Sequence, residues 1–344
     1  MSRIGVFRCL MAAALFGAST PAASVLAGDL PALVLAGLLY VGAAIAVTPS
    51  VIAHRPTAES LRAGRRPLAV AVVFGGALGP VLLVAGLSRT SAATASLLLN
   101  FELIATIVVA AALFREHLGT RLLAAVVLVG GAGVVLVWQP GATIDPGGLL
   151  IVGACLCWGL DNSVTARIDQ LSPEQVTFAK GLVAGGANLA LGVALASSLD
   201  LGLRQVAAAL AVGALGYGAS ITLWVKGARD LGAARGQVIF AAAPFIGAAA
   251  AWVVLGDSVT IAQLVAVPLA AGGIALSLRS AHEHPHTHTP LVHDHEHRHD
   301  DGHHTHSHAE QVSGRHSHRH EHQALVHVHP HVPDLHHRHP HATR

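Results

Sequence analysis

Long apolar runs separated by short polar breaks make up the chain from its start to about residue 278. Each run lasts roughly 18 to 22 residues, the length at which a helix rising about 1.5 Å per residue crosses about 30 Å of hydrocarbon. The runs predict ten transmembrane helices near residues 5–25, 31–49, 67–87, 91–113, 119–138, 147–166, 175–197, 206–226, 233–255 and 259–278. Asp29 with Pro31, His54 to Arg66, Pro140 to Pro146 and Ser172-Pro173-Glu174 supply turns or interfacial stops between them. Within the runs, Gly130-Gly131-Ala132-Gly133 and Gly185-Gly186-Ala187 let backbones approach closely where lipid gives no hydrophobic drive to association.

The pattern also repeats. Sliding the chain against itself by 141 residues places Gly75 on Gly216, Gly86 on Gly227, Ala92-Ala93 on Ala233-Ala234, Ala125-Val126 on Ala266-Val267, Gly131 on Gly272, and Glu116 on Asp257 at an equivalent turn. Three units follow: a first five-helix repeat over 1–138, a second over 139–279, and a tail over 280–344. Because five is odd, the second repeat must enter the membrane from the opposite side, and basic residues should switch loops between equivalent positions. Inside loops would carry Arg55, Arg62, Arg65, Arg66, Arg115, Arg121, Arg167, Lys226, Arg229 and Arg235, and outside loops only Arg89 and Arg204. This places both termini in the cytoplasm and the chain in the inner cell membrane. Arg3 and Arg8 before an apolar stretch also suit a signal peptide. Phe16-Gly17 and Thr20 have counterparts in Trp158-Gly159 and Asn162, so the first run is read as a member of the repeat.

Composition agrees with a lipid environment: 53% of the 344 residues are hydrophobic and 12% charged, which an ordinary water-soluble globule does not show. The formal net charge is +2, with no basic patch interleaved with aromatics, so nucleic acid is not an expected partner. Cys9, Cys155 and Cys157 fall inside apolar runs and are expected to be reduced packing residues. No GxxxxGK[ST], no His-Glu-x-x-His helix and no paired soluble carboxylates appear, so no enzyme is expected and no cofactor is required. Lipid and a small-molecule or ion substrate are the partners implied, with a homodimer left open.

Two five-helix halves, each ending in a small-residue helix after an acidic turn (Phe114-Arg115-Glu116 then Gly130-Gly131; Leu255-Gly256-Asp257 then Gly272-Gly273), resemble the EamA branch of the drug/metabolite transporter superfamily over residues 5–278. The resemblance implies a central cavity between inverted halves and export or uptake of small metabolites by alternating access, often coupled to protons. It also implies a helix-breaking proline in the fourth and ninth spans. Pro244 fits and its counterpart Leu103 does not; beside Leu103 stands Glu102.

Glu102 is the leading coupling candidate, because an ionised carboxylate halfway along a span costs about 2.5 to 3.5 kcal/mol and needs a partner or a watery cavity. A structural, hydrogen-bonded acid supported by Asn100 or Thr106 is the plainer alternative. Lys180 is expected to snorkel to the interface, or else to bind an anionic group or pair with Asp161. Asp161 and Asn162 either face the cavity or cap nearby backbone. Trp158, Tyr217 and Trp224 either line the cavity or belong to an interfacial belt.

The tail holds 23 of the 25 histidines, many alternating. His282, His284, His286, His288, His293, His295, His297, His299, His303, His304, His306 and His308 are the candidate metal ligands. Low hydrophobicity and scattered prolines predict disorder, and imidazole suits Zn, Ni or Co. Three roles are open for it: metal buffering or sensing, incidental binding, and pH sensing by groups that titrate near 6.5. A divalent-metal transporter and a membrane-anchored metal store without flux are the rival functions.

Overall fold

The computed structural model describes residues 3–114, 120–139, 143–165, 168, 170–196, 201–231, 239–278, 282–288, 291–297, 316–322 and 325–331. Its helices are α1 Arg3–Ala27, α2 Ala32–Ala53, α3 Ala58–Leu87, α4 Ala92–Leu98, α5 Phe101–Phe114, α6 Thr120–Val137, α7 Pro146–Thr165, α8 Pro173–Leu195, α9 Leu203–Gly227, α10 Ala243–Leu255 and α11 Ile261–Leu278. Seven helical stretches are long and apolar enough to cross a membrane, and three shorter apolar ones, Leu123–Val137, Ala243–Leu255 and Ile261–Leu276, fall on the remaining expected spans. α4 and α5 together make the fourth. The chain is thus a multi-pass, nearly all-helical membrane protein. Many large aliphatic side chains point outward, with Leu203, Val253 and Ile261 each more than four-fifths exposed, as lipid-facing residues are, while others such as Leu35, Leu83 and Ile151 form the core.

The packing has the symmetry that the repeat foretells. α1 of the first half packs on α9 and α10 of the second, and α7 of the second packs on α3 and α5 of the first. α2 meets α8, α4 meets α10 and α6 meets α11. Glycines make the close crossings in matching pairs. A Cβ on Gly86 would meet Ile151 and the Gly147 carbonyl, while one on Gly227 would meet Cys9 and the Gly5 carbonyl. A two-residue ladder, β1 Trp138–Gln139 with β2 Thr143–Ile144, leads into α7. Among the described residues the three cysteines form no disulfide, and Cys9 and Cys155 are buried.

Four helices contain wide π-helical turns, at Ala71–Leu78 in α3, Lys180–Gly185 in α8, Gly213–Ala219 in α9 and Ala251–Leu255 in α10. The α3 and α9 turns occupy equivalent places in the two halves. Such turns free backbone groups for other partners and are frequent at functional sites.

Residues Ala281–Arg344 form a separate unit. Its described residues are four strands, where the sequence predicts no regular element: β3 His282–His288 pairs antiparallel with β6 Leu325–His331, and β4 Leu291–His297 with β5 His316–His322. Histidine at alternate positions has the strand period of two.

Candidate functional site in the bundle centre

The fourth span breaks without a proline. α4 ends at Leu98, residues 99–100 form a turn, and α5 begins at Phe101. In an unbroken helix the Leu97 carbonyl would accept from the Phe101 N–H. Here Asn100 occupies that carbonyl, with its backbone N–H at 3.2 Å and its side-chain Nδ2 at 2.9 Å. Glu102 therefore lies in the first turn of a new helix, whose N-terminal dipole end favours negative charge. Its Oε1 accepts from Asn162 Nδ2 of α7 at 2.9 Å, and the same amide lies 3.3 Å from Thr106 Oγ1. Gly159 permits this approach, since a Cβ there would lie 2.7 Å from the Ala105 backbone.

One residue before Asn162, Asp161 is buried and ion-paired: its Oδ2 lies 2.5 Å from Lys180 Nζ, and its Oδ1 accepts from Thr165 Oγ1 at 2.9 Å. Lys180 thus points into the bundle rather than along its own helix to the interface. The π-helical turn of α3 makes the room. Gly75 faces Asp161 with no space for a Cβ, and a Cβ on Gly76 would touch Lys180 at 3.2 Å.

The Gly75 carbonyl is left over by that turn. The Gly79 N–H donates to Phe74 instead, and the next residue, Pro80, has no N–H. Two buried donors take it, Tyr40 Oη at 2.7 Å and Trp158 Nε1 at 3.1 Å. From Tyr40 a line of rings crosses to the second half. Tyr217 lies 5.8 Å from Tyr40, Phe16 5.9 Å from Tyr217, Phe240 5.4 Å from Phe16, and Trp224 6.1 Å from Phe240. Glu102 is within electrostatic reach of Asp161, Lys180, Tyr40 and Tyr217.

Of the residues singled out in the sequence, Glu102, Asp161, Asn162, Lys180, Trp158 and Tyr217 come together at this centre. Among the described residues Asn100 bonds the Leu97 carbonyl and not the Glu102 carboxylate; it breaks the helix that carries it. Trp158 and Tyr217 are buried inside the bundle and are not part of an interfacial belt. Sequence reasoning missed Tyr40, Phe16 and Gly75. The first had a signal, since Tyr40 and Tyr217 are the chain's only tyrosines and both stand mid-span.

Among the described residues no group of three or more His, Cys, Asp or Glu is placed to hold a metal ion. His282, His284, His286, His288, His293, His295 and His297 fall on β3 and β4. His299, His303, His304, His306 and His308 lie outside the described residues, as do Arg115, Glu116, Arg167, Ala233, Ala234 and Arg235.

Two packed repeats of apolar helices around a charged and aromatic centre define a polytopic membrane protein of the solute-carrier kind in architecture. The chain belongs to the EamA-like transporter family, whose profile matches residues 3–139 and 145–279. It is similar to an uncharacterized transporter of Methanothermobacter thermautotrophicus, 28% identical over 195 residues, which are 54% of this chain and 56% of that protein. The chain therefore spans little more than half the length of that curated relative. A solved crystal structure shares the fold, with a TM-score of 0.56 at 20% identity, covering 79% of this chain and 96% of the other.

Proposed function

We propose that this protein is a secondary transporter that moves small metabolites across the inner membrane by alternating access of its two halves, with Glu102 as the proton-coupling group. One observation carries the reading. Glu102 sits at the restart of a broken span, held by one amide from α7 and beside an ion pair that is already neutralised internally. Among the described residues this carboxylate is the charge at the centre whose hydrogen-bond partner is neutral, so protonation or a solute can change its state without breaking a salt bridge. The paired Asp161 and Lys180 hold α3, α7 and α8 together, and Tyr40, Tyr217 and Phe16 give a solute an apolar wall. Export is the favoured direction.

The experiment is flux in proteoliposomes under an imposed pH gradient, with a screen of amino-acid-like solutes and of Ni, Co and Zn. Glu102→Gln should abolish pH-driven flux while leaving the protein folded. Unchanged proton coupling in that variant removes the assignment. The His-rich tail is proposed to bind divalent metal as an accessory to transport, through His282 to His308 on the cytoplasmic side. Removal of residues 281–344 should then abolish Ni retention and leave pH-driven flux intact. Reporter fusions at Ala142 and near Arg344 test the topology, and an external signal from the second would overturn it.

A further inference from the structure

The seam between α4 and α10, where the two halves meet, is closed at one end by side chains of the second half. Asp257 stands in the turn after α10, next to Gly256, whose φ of 73° gives the left-handed conformation that turns the chain back. Its Oδ2 accepts from the backbone N–H of Ala93 at 2.9 Å. The first N–H groups of a helix have no partner within it. α4 takes one acceptor from its own half, Ser91 Oγ for the Thr94 N–H at 3.2 Å, and another from Asp257 of the opposite half. Gln263, almost fully buried, adds a second tie: its Nε2 donates to Thr94 Oγ1 at 2.9 Å, while its Oε1 accepts from Trp252 Nε1 at 3.2 Å and the Thr260 N–H at 3.1 Å. Beneath these ties Ala92, Ala93 and Ala251 are buried against Trp252.

One turn deeper lies a group that this closed arrangement leaves unsatisfied. Ser96 is 0% exposed, and its Oγ has no hydrogen-bond partner among the described residues. It faces Gly247 of α10, where an added Cβ would lie 2.8 Å from it. A buried hydroxyl without a partner disfavours the state that buries it, and opening the seam would hydrate it.

We propose that Asp257 and Gln263 are the latch of a gate at the end of the bundle bearing residues 256–260, and that Ser96 is the first polar group a solute meets behind it. This rests on the alternating-access reading. The latch favours the closed seam and the stranded hydroxyl disfavours it, so breaking the latch shifts the balance toward opening. Both are positioning residues, because neither touches the centre around Glu102. Under the proposed topology the gate is the outer one.

The test needs no solute, so it is independent of the coupling role of Glu102. Ser96→Cys is placed in the full-length chain after Cys9, Cys155 and Cys157 are replaced by Ala, and a membrane-impermeant charged maleimide is applied to vesicles of each orientation. Ser258→Cys, at an exposed position, marks the side of the latch. With the latch intact Ser96→Cys should be protected, and Asp257→Ala should raise its labelling about tenfold or more from the Ser258 side alone, since a hydrogen bond to a charged group is lost. Asp257→Asn keeps an acceptor oxygen and should restore protection. Gln263→Ala gives a smaller rise and stands in if Asp257→Ala does not fold. Unchanged labelling in a monodisperse variant, or labelling equal from both sides, overturns the proposal.

Discussion

The fourth and ninth spans stand in equivalent places, and both break, but by different means. In the ninth, helical residues 239–240 give way to a turn at 241–242 and α10 restarts with Pro244 in its first positions, where its missing N–H and fixed φ are no handicap. In the fourth the counterpart of Pro244 is Leu103, and the break is made by Asn100, whose side chain takes a carbonyl that helix continuation would need. The restart carries Glu102 in one half and Ala243 in the other. The same inequality appears one helix away, where the glycine of each π-helical turn faces Asp161 in one half and Ser19 in the other. Inverted repeats supply a transporter with two related halves, and here equivalent glycines meet a carboxylate in one half and a hydroxyl in the other.

That comparison can be broken at four points. The largest effect is on activity: Glu102→Gln should remove pH-driven flux, and adding Ala243→Glu to it should not restore the flux, because Ala243 is fully buried against the Gly17 crossing. If the double variant transports, the halves are functionally equivalent and the asymmetry is incidental. Next comes the ion pair. Asp161→Ala leaves Lys180 largely buried, its side chain 14% exposed, without its carboxylate, and should cost about 3 kcal/mol in a denaturation series in detergent. Ser19→Ala removes a neutral hydroxyl that bonds the Phe16 carbonyl of its own helix, and should cost about 0.5–1.5 kcal/mol. Replacing Asp161 and Lys180 together should recover part of the loss, and additivity would show that the pair contributes nothing as a pair.

Smaller effects separate the glycines. Gly75→Ala displaces a carboxylate held by Lys180 and Thr165 and should cost about 1–3 kcal/mol, measured by thermal melting. Gly131→Ala, with open space around it, should be neutral or slightly stabilising. The smallest concern the breaks themselves. Asn100→Ala should cost about 0.5–1.5 kcal/mol and Pro244→Ala about 0.4–1 kcal/mol. A melting point unmoved by Asn100→Ala would mean that packing alone holds the fourth span broken.

Much of this molecule was legible in its residues, and for one reason. In lipid every backbone polar group must be satisfied within its own segment, so length and hydropathy almost force the spans. The 141-residue repeat and the odd number of spans per half then constrain how the halves are arranged. The site was legible only as a set of candidates. Glu102, Asp161 and Lys180 stood out because charge inside a span is expensive, but the partner of each lay on another helix. For Lys180 the sequence favours snorkelling, with a pair to Asp161 as the alternative, because nothing local favours a salt bridge between residues 19 positions apart. Tyr40 went unnoticed because the carbonyl it serves, that of Gly75, is freed only by a π-helical turn next to Pro80.

The amino-acid order by itself determined that the chain crosses a membrane many times, in two related halves, with a few costly polar groups held mid-span, because these follow from the free energy of moving each residue type into hydrocarbon. Only the tertiary structure decided which of those groups are paired, which helix breaks without a proline, and that Asp257 caps a helix of the opposite half. Hydrogen bonds and ion pairs between helices depend on angstrom-scale approach, and that approach is set by how glycines and wide turns on different helices meet.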